Sequence, residues 1–317
     1  MVDIHAESNL GGKKFRGALV QLGYESAGGQ DRDGILRASL AFEVVHNAFL
    51  VHDDIMDNTD LRRGRLSVHR RYATLGEEKF PTRDADHFGV SMGINVGDLG
   101  AATAYEILID TNFPPEKVLA AIRRLNRVII MTTFGEALDL GFNPLSPDMR
   151  PRDILRLHLY KTAEYSFAGP LQLGAILADA DVDTLLRLSK FALPLGISFQ
   201  IKDDILGMFA SEQLLGKPVD SDIKEGKNTL LILKARELGN LEEQEFLDYA
   251  YGNPRATQED LERIRQIVKS TGSLEYSEGM MRRLADNAKR NATKITSNPQ
   301  WQTIFYGLAD LMTARDK

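Results

Sequence analysis

The sequence predicts an all-α fold, a single-domain multi-helix bundle packed around a central space. Three observations carry that expectation. Apolar residues recur every three or four positions through most of the chain, no run alternates strictly over the length of a strand, and the breaks between periodic segments carry proline, asparagine and glycine. From Ile35 to Met56, the residues Leu36, Leu40, Val44, Ala48, Val51 and Ile55 form one stripe of a long amphipathic helix. Similar stripes run over 85–110, 115–140, 152–168, 183–209, 228–238, 257–271 and 273–296, with a last one near 300–315. The punctuation between them is TNFPPEK at 111–117, NPLSPDMRP at 143–151 and YGNPRATQ at 251–258. No internal repeat and no low-complexity linker divides the pattern, so 1–317 reads as one domain.

Composition narrows the classes of function. The 317 residues are 43% hydrophobic and 26% charged, enough for a sizeable core. There is no cysteine, which excludes disulfides and thiolate metal sites and fits a reducing cytoplasm. A net charge of −6 argues against a nucleic-acid partner and leaves any anionic ligand dependent on locally placed cations or metal. No apolar run approaches the roughly 20 residues of a membrane span. The opening MVDIHAESNLGG lacks the apolar region of a secretory signal. The expectation is a cytoplasmic protein without a transmembrane segment.

Two acidic clusters stand out. In LVHDDIMDNTDLRRG, residues 50–64, Asp53 and Asp57 are one helical turn apart and share a face, with Asp54 at its edge. Like charges so placed weaken a bare helix, and carboxylates at a helix C-terminus oppose its dipole. A compensating cation is therefore expected, and Mg²⁺ suits a few carboxylates completed by phosphate oxygens and water. Arg62 and Arg63 follow at once and can clamp phosphate oxygens. A solvated helix end is the plain alternative. In FQIKDDILGMF, residues 199–209, Asp203 and Asp204 again end an apolar stripe, beside Gln200 and Lys202, and GKPVDSDIKEGKNT follows at 216–229. Two acidic pairs of this kind would face each other across a cavity, or would be two unrelated helix ends.

With these pieces in order, the chain resembles the trans-isoprenyl diphosphate synthases, the prenyltransferases that make farnesyl and geranylgeranyl diphosphate, over nearly its whole length. GGKKFRG at 11–17 is similar to the family's GGK-x-x-R-P loop, with Gly17 where proline is usual. EVVHNAFLVHDDIMDNTDLRRG resembles the first aspartate-rich region, and GEALDL, YKTAEYSF, FQIKDDILG and GKPVDSDIKEGKNT follow in the family's order. Only ten residues precede the GGKK loop, where relatives carry one or two helices, so the usual N-terminal helix would be lacking.

The resemblance implies roles, residue by residue. Asp53 and Asp57, with Asp54 assisting, would hold two Mg²⁺ ions. Asp203 would hold a third, with Asp204 and Asp222 in support. Arg62, Lys161 and Lys217 would bind the allylic diphosphate, with Lys227 on that side and Glu136 and Asp139 lining the same cavity. Lys13, Arg16, His46 and Arg63 would bind isopentenyl diphosphate. Thr162, Gln200 and the Lys161 carbonyl would sit near the developing carbocation. The second acidic motif departs from the pattern at Gly207, where many relatives have a third aspartate. Product length should be read by Phe49 and Ala48, four and five residues before Asp53 and about 6–8 Å along the helix axis. Ala48 leaves space where farnesyl synthases have an aromatic residue, so a C20 product is expected first and C15 second. A homodimer is also implied. A class I terpene cyclase would need no isopentenyl site, and a non-catalytic regulatory subunit would not need both acidic pairs.

Overall fold

The structure is a computed structural model that describes residues 4, 7–8, 11–209 and 221–314. Helices dominate it. In chain order they are α1 (Phe15–Ser26), α2 (Arg32–Met56), α3 (Val68–Lys79), α4 (Ala85–Ile109), α5 (Pro115–Gly141), α6 (Pro151–His158), a π-helical segment (Leu159–Ala168), α7 (Gly169–Leu177), α8 (Val182–Phe209), α9 (Ser221–Glu225), α10 (Leu230–Leu238), α11 (Leu241–Ala250), α12 (Gln258–Ser270), α13 (Ser273–Ile295) and α14 (Pro299–Ala314). The stripes expected over 85–110, 115–140, 183–209, 257–271 and 273–296 correspond to α4, α5, α8, α12 and α13.

Five helices had no counterpart in the periodicity: α1, α3, α7, α9 and α11. They are short, and α11 owes its start to local chemistry. Asn240 caps it by accepting from the Glu243 N–H at 3.0 Å, and the Glu243 carboxylate returns the bond to the Asn240 N–H at 2.9 Å. Strands are minor, as expected. Leu61–Arg62 and Arg65–Leu66 form a two-residue hairpin around Arg63 and Gly64, both at positive φ as a type I′ turn requires.

The chain forms two compact units, Met1–Leu125 with Pro170–Ala180, and Asn126–Gly169 with Asp181–Lys317. In the first unit α2 is the central helix, packed against α1 and α4. Its side chains Ile35, Ala38, Ala41, Phe42, Val45, Ala48 and Val51 are buried. The expected stripe needs correction here, because Leu36 and Leu40 are 53% and 50% exposed. A row spaced by four residues winds about 40° further round the helix at each step, so it starts on the solvent side and reaches the core only near Ala48. The expectation of no membrane-length apolar run also needs qualification. Helix α2 passes that test by length and composition, but 61% of its most apolar 18 residues is buried within the protein. A buried core helix satisfies the same criterion.

In the second unit α8 and α13 pack along each other. Phe167 meets Phe199 edge to face with centroids 5.2 Å apart, and Phe191 meets Phe305 in the same way at 5.2 Å. Ile154, Ile201, Leu230 and Leu233 form a core cluster that joins α6, α8 and α10.

Candidate active site

In the first unit, α2 ends in the acidic cluster and the hairpin brings its arginine back onto it. Arg62 Nε donates to Asp54 Oδ1 at 2.7 Å, Nη2 donates to the same oxygen, and Nη2 also reaches Asp53 Oδ2 at 3.3 Å. Asp54 is buried at 3% exposure. Burial raises its pKa, and Arg62 offsets only part of that rise. Burial alone would lower the Arg62 pKa, but the Asp54 hydrogen bond and the Asp54, Asp53 and Asp57 charges outweigh it, so the guanidinium is held charged. Arg62, expected on a diphosphate, is thus placed on the carboxylates. Asp53 and Asp57 keep partly accessible side chains, and Asp57 is the C-terminal cap of α2, its N–H bonded to the Asp53 carbonyl at 2.8 Å.

A basic group is assembled beside this cluster. Gly11 and Gly12 have φ of 83° and 77°, open only to glycine without strain, and a Cβ on Gly12 would lie 2.9 Å from Arg63 Nη2. The glycine pair therefore lets the Arg63 guanidinium rest on bare backbone. His46 has its pKa lowered to about 2, chiefly by burial and then by the charges of Arg16, Arg63, Lys14 and Arg62. It is a neutral imidazole ringed by cations. Three of the four residues expected at the isopentenyl site, Arg16, His46 and Arg63, are brought together; Lys13 is exposed, and the charge of its neighbour Lys14 also acts on His46. A cavity of about 300 Å³ opens here, lined by Gly11, Asn47, Asp54, Arg62, Arg63 and Arg71 among others. Ala48 is buried at 3% exposure and Phe49 is half-buried beside it on α2.

In the second unit the π-helical segment carries Lys161 and Thr162. Such segments interrupt α-helices and recur at functional sites. Two glycines allow this one. A Cβ on Gly135 of α5 would lie 2.4 Å from the Lys161 backbone nitrogen, and one on Gly196 of α8 would lie 2.5 Å from the Ala163 Cα. Lys161 Nζ donates to Asp139 Oδ2 at 2.6 Å and pairs with Glu136 Oε2 at 2.9 Å. The Asn228 amide donates to the Asp139 carboxylate at 3.0 Å. Burial would raise the Asp139 pKa, but Lys161, Asn228 and Lys227 together hold it below the usual value. Glu136 and Asp139 therefore act as the seat of Lys161.

Thr162 Oγ1 donates to Gln200 Oε1 at 2.7 Å, and Gln200 Nε2 donates to Asp204 Oδ1 at 2.9 Å. His158 Nε2 lies 3.2 Å from Asp204 Oδ2, inside ion-pair range but without hydrogen-bond alignment. The side chain of Asp204 is 12% exposed and enclosed by these partners, whereas Asp203 keeps partial access on the adjacent helical position. Gly207 has no side chain because Asp222 takes the space: a Cβ there would lie 2.0 Å from Asp222 Oδ2. Lys227 pairs with Glu225 at 3.1 Å, and its carbonyl accepts the Tyr251 hydroxyl at 2.5 Å. Lys217 lies outside the described residues.

Sequence reasoning missed Glu43, His158, Asn228 and Tyr251. Glu43 had a visible signal, a charge at 8% exposure inside the apolar helix α2. The others touch their partners only through the fold.

Among the described residues, no three His, Asp or Glu side chains could hold a metal by themselves. Mg²⁺ is usually bound through one or two carboxylates together with substrate phosphates. In the first unit the pair Asp53 and Asp57 fits such an ion, and in the second unit Asp203 does so separately.

Comparisons with known proteins identify the family. Residues 3–268 match the polyprenyl synthetase family model. The chain is 35% identical over 289 residues to a geranylgeranyl diphosphate synthase of Sulfolobus acidocaldarius, covering 90% of this chain and 82% of that one. It is 34% identical over 311 residues to the Saccharolobus solfataricus counterpart, covering 97% and 87%. A geranylfarnesyl diphosphate synthase of Natronomonas pharaonis is 29% identical over 322 residues, covering 97% and 87%. Among solved structures, a geranylgeranyl pyrophosphate synthase from Corynebacterium glutamicum, complexed with isoprenyl diphosphate and magnesium, superposes with a TM-score of 0.92 at 27% identity, covering 99% of this chain and 90% of that one. The chain therefore belongs to the polyprenyl synthetase family and is a short-chain trans-prenyltransferase.

Proposed function

We propose that this enzyme condenses isopentenyl diphosphate with an allylic diphosphate, head to tail, and releases chiefly a C20 all-trans prenyl diphosphate. The observation that carries the two-substrate reading is the neutral His46 surrounded by Arg16, Arg63, Lys14 and Arg62. It forms an anion site built from cations, in addition to the aspartates that would use metal. A terpene cyclase has no need of it.

The residues divide the work. Asp53 and Asp57 would hold Mg²⁺ against the allylic diphosphate, and Asp203, supported by Asp222, would hold a further ion. When bound, three such ions would neutralise the pyrophosphate as it departs. Lys161, seated on Asp139 and Glu136, and Lys227 give it direct cationic contacts, as does Lys217 by sequence position. The C1–O bond of the allylic substrate breaks with its electron pair leaving on pyrophosphate. Thr162, Gln200 and the Lys161 carbonyl present oxygens to the resulting cation. Asp204 fixes Gln200 in that pose. Arg16, Arg63, Lys13 and His46 hold isopentenyl diphosphate so that its double bond forms the new bond to C1. The proton then lost passes to the departing pyrophosphate.

The C20 assignment rests on Ala48 and Phe49 and is supported by the geranylgeranyl synthases among the relatives. A homodimer is supported by Ile130 and Phe134, 38% and 61% exposed one turn apart on α5; light scattering that gives a monomer at micromolar concentration would remove it. A cytoplasmic setting fits the cysteine-free chain, and cell fractionation tests it.

The deciding experiment incubates the protein with Mg²⁺, isopentenyl diphosphate and allylic diphosphates from C5 to C15, then sizes the dephosphorylated alcohols. Elongation abolished by Asp53→Ala or by chelator is expected. A folded protein that elongates no starter would favour the regulatory subunit, and cyclic products would favour the cyclase.

A further inference from the structure

Helix α1 begins without a side-chain cap of its own. Its N-cap residue Lys14 is in the left-handed region at φ 51° and makes no capping bond, and the first intrahelical bond is from the Ala18 N–H to the Lys14 carbonyl. The N–H groups ahead of Ala18 therefore need partners from elsewhere. The Gly17 N–H finds one in α2, donating to Glu43 Oε1 at 2.7 Å in a buried setting. The other carboxylate oxygen, Oε2, lies 3.9 Å from Lys14 Nζ. A carboxylate at 8% exposure needs such partners, and a bond from a backbone N–H to a carboxylate is among the stronger kinds. Glu43 also precedes His46 by three residues, so the two share a face of α2.

We propose that Glu43 is a positioning residue for the isopentenyl diphosphate site. By accepting the Gly17 N–H it caps α1 from α2 and fixes the Gly11–Arg16 segment in register with His46. Gly17 then has a reason of its own. Proline at this position has no N–H to give Glu43. Alanine keeps the N–H, and its Cβ would meet Ser39 O and Glu43 Cγ at 3.4 Å, an ordinary contact.

The inference rests on the reading that Arg16 and its neighbours bind isopentenyl diphosphate, and the test separates the two. Steady-state kinetics would be measured for Glu43→Ala, Glu43→Gln, Gly17→Pro, Gly17→Ala and Arg16→Ala, varying each substrate in turn and working well below each variant's melting temperature. Glu43→Ala and Gly17→Pro should raise KM for isopentenyl diphosphate about 10-fold, the scale of one lost charge-assisted bond, and leave KM for the allylic substrate within about 2-fold. Glu43→Gln, whose amide oxygen still accepts the N–H, and Gly17→Ala should stay within about 3-fold of the parent. A purely structural role would lower the melting temperature and move both KM values alike, or neither, and that result overturns the proposal. If Arg16→Ala leaves KM for isopentenyl diphosphate unchanged, the underlying reading of the site fails. If Arg16→Ala raises it and Glu43→Ala does not, the positioning role alone fails.

Discussion

The Arg62 guanidinium and the Asp54 carboxylate form a hydrogen-bonded ion pair at the end of α2, with Nε donating to Oδ1 at 2.7 Å. The pair joins the hairpin to the helix and presents Asp53 at its margin. Removing one partner of an enclosed pair leaves the other unmatched. Asp54 is almost fully buried, but about a third of the Arg62 side chain meets solvent, so the loss should be smaller than for a fully enclosed pair. Asp54→Ala should cost about 1–3 kcal/mol of stability, read from the urea midpoint. A midpoint equal to the parent's would mean that the pair does not hold the hairpin.

Gly12 is the second test. Alanine there meets two obstacles, a left-handed φ of 77° and a Cβ 2.9 Å from Arg63 Nη2. The backbone strain alone is about 1–2 kcal/mol. Gly12→Ala should raise KM for isopentenyl diphosphate by about 10-fold or more while the far-ultraviolet circular dichroism stays that of the parent. An unchanged KM would show that Arg63 does not need the bare backbone beneath it.

His46 gives a pH prediction with a definite sign. Its folded pKa lies near 2, against an ordinary 6.5, so the unfolded chain binds a proton that the folded one refuses. Its contribution to stability is complete above pH 6.5 and is lost as pH falls below that value. Well below pH 6.5 the slope from this one group approaches about 1.4 kcal/mol per pH unit. Urea midpoints between pH 7.5 and 5 should therefore fall less steeply for His46→Gln than for the parent. Parallel curves would show that His46 is not held neutral.

Product length can be read from α2. Ala48→Phe should shift the main alcohol from C20 toward C15. Phe49→Ala should lengthen it. The introduced ring must be accommodated at a buried position, at a cost of about 1–3 kcal/mol, so the folded fraction is measured alongside. An unaltered C20 product from a folded Ala48→Phe variant would move the length determinant to another helix.

The departure at Gly207 shows where a linear reading ends. In the sequence it is a missing aspartate. In the structure the Asp222 carboxylate occupies the space a side chain at 207 would need, brought there by α9 fifteen residues later. Asp204 is a similar case. Its spacing beside Asp203 suggests a metal ligand, and in the fold its Oδ1 accepts the Gln200 amide while its Oδ2 lies 3.2 Å from His158 Nε2.

The sequence by itself determined the helical class, the extents of the long helices, the family and the order of its motifs. These depend on period, punctuation and short-range spacing, which are local properties of the chain. Spacing also drew attention to Asp53, Asp57 and Arg63, where like charges on one helical turn are followed at once by arginines, whereas Lys161 was marked only by the resemblance to the family. Tertiary structure alone decided the pairings. Arg62 is drawn onto Asp54 because a two-residue turn reverses the chain, His46 is neutral because burial and four cations act on it together, and Lys161 is seated on Asp139 because Gly135 lets two backbones approach within the space of one methyl group. Such contacts depend on which surfaces meet, and periodicity carries no record of that.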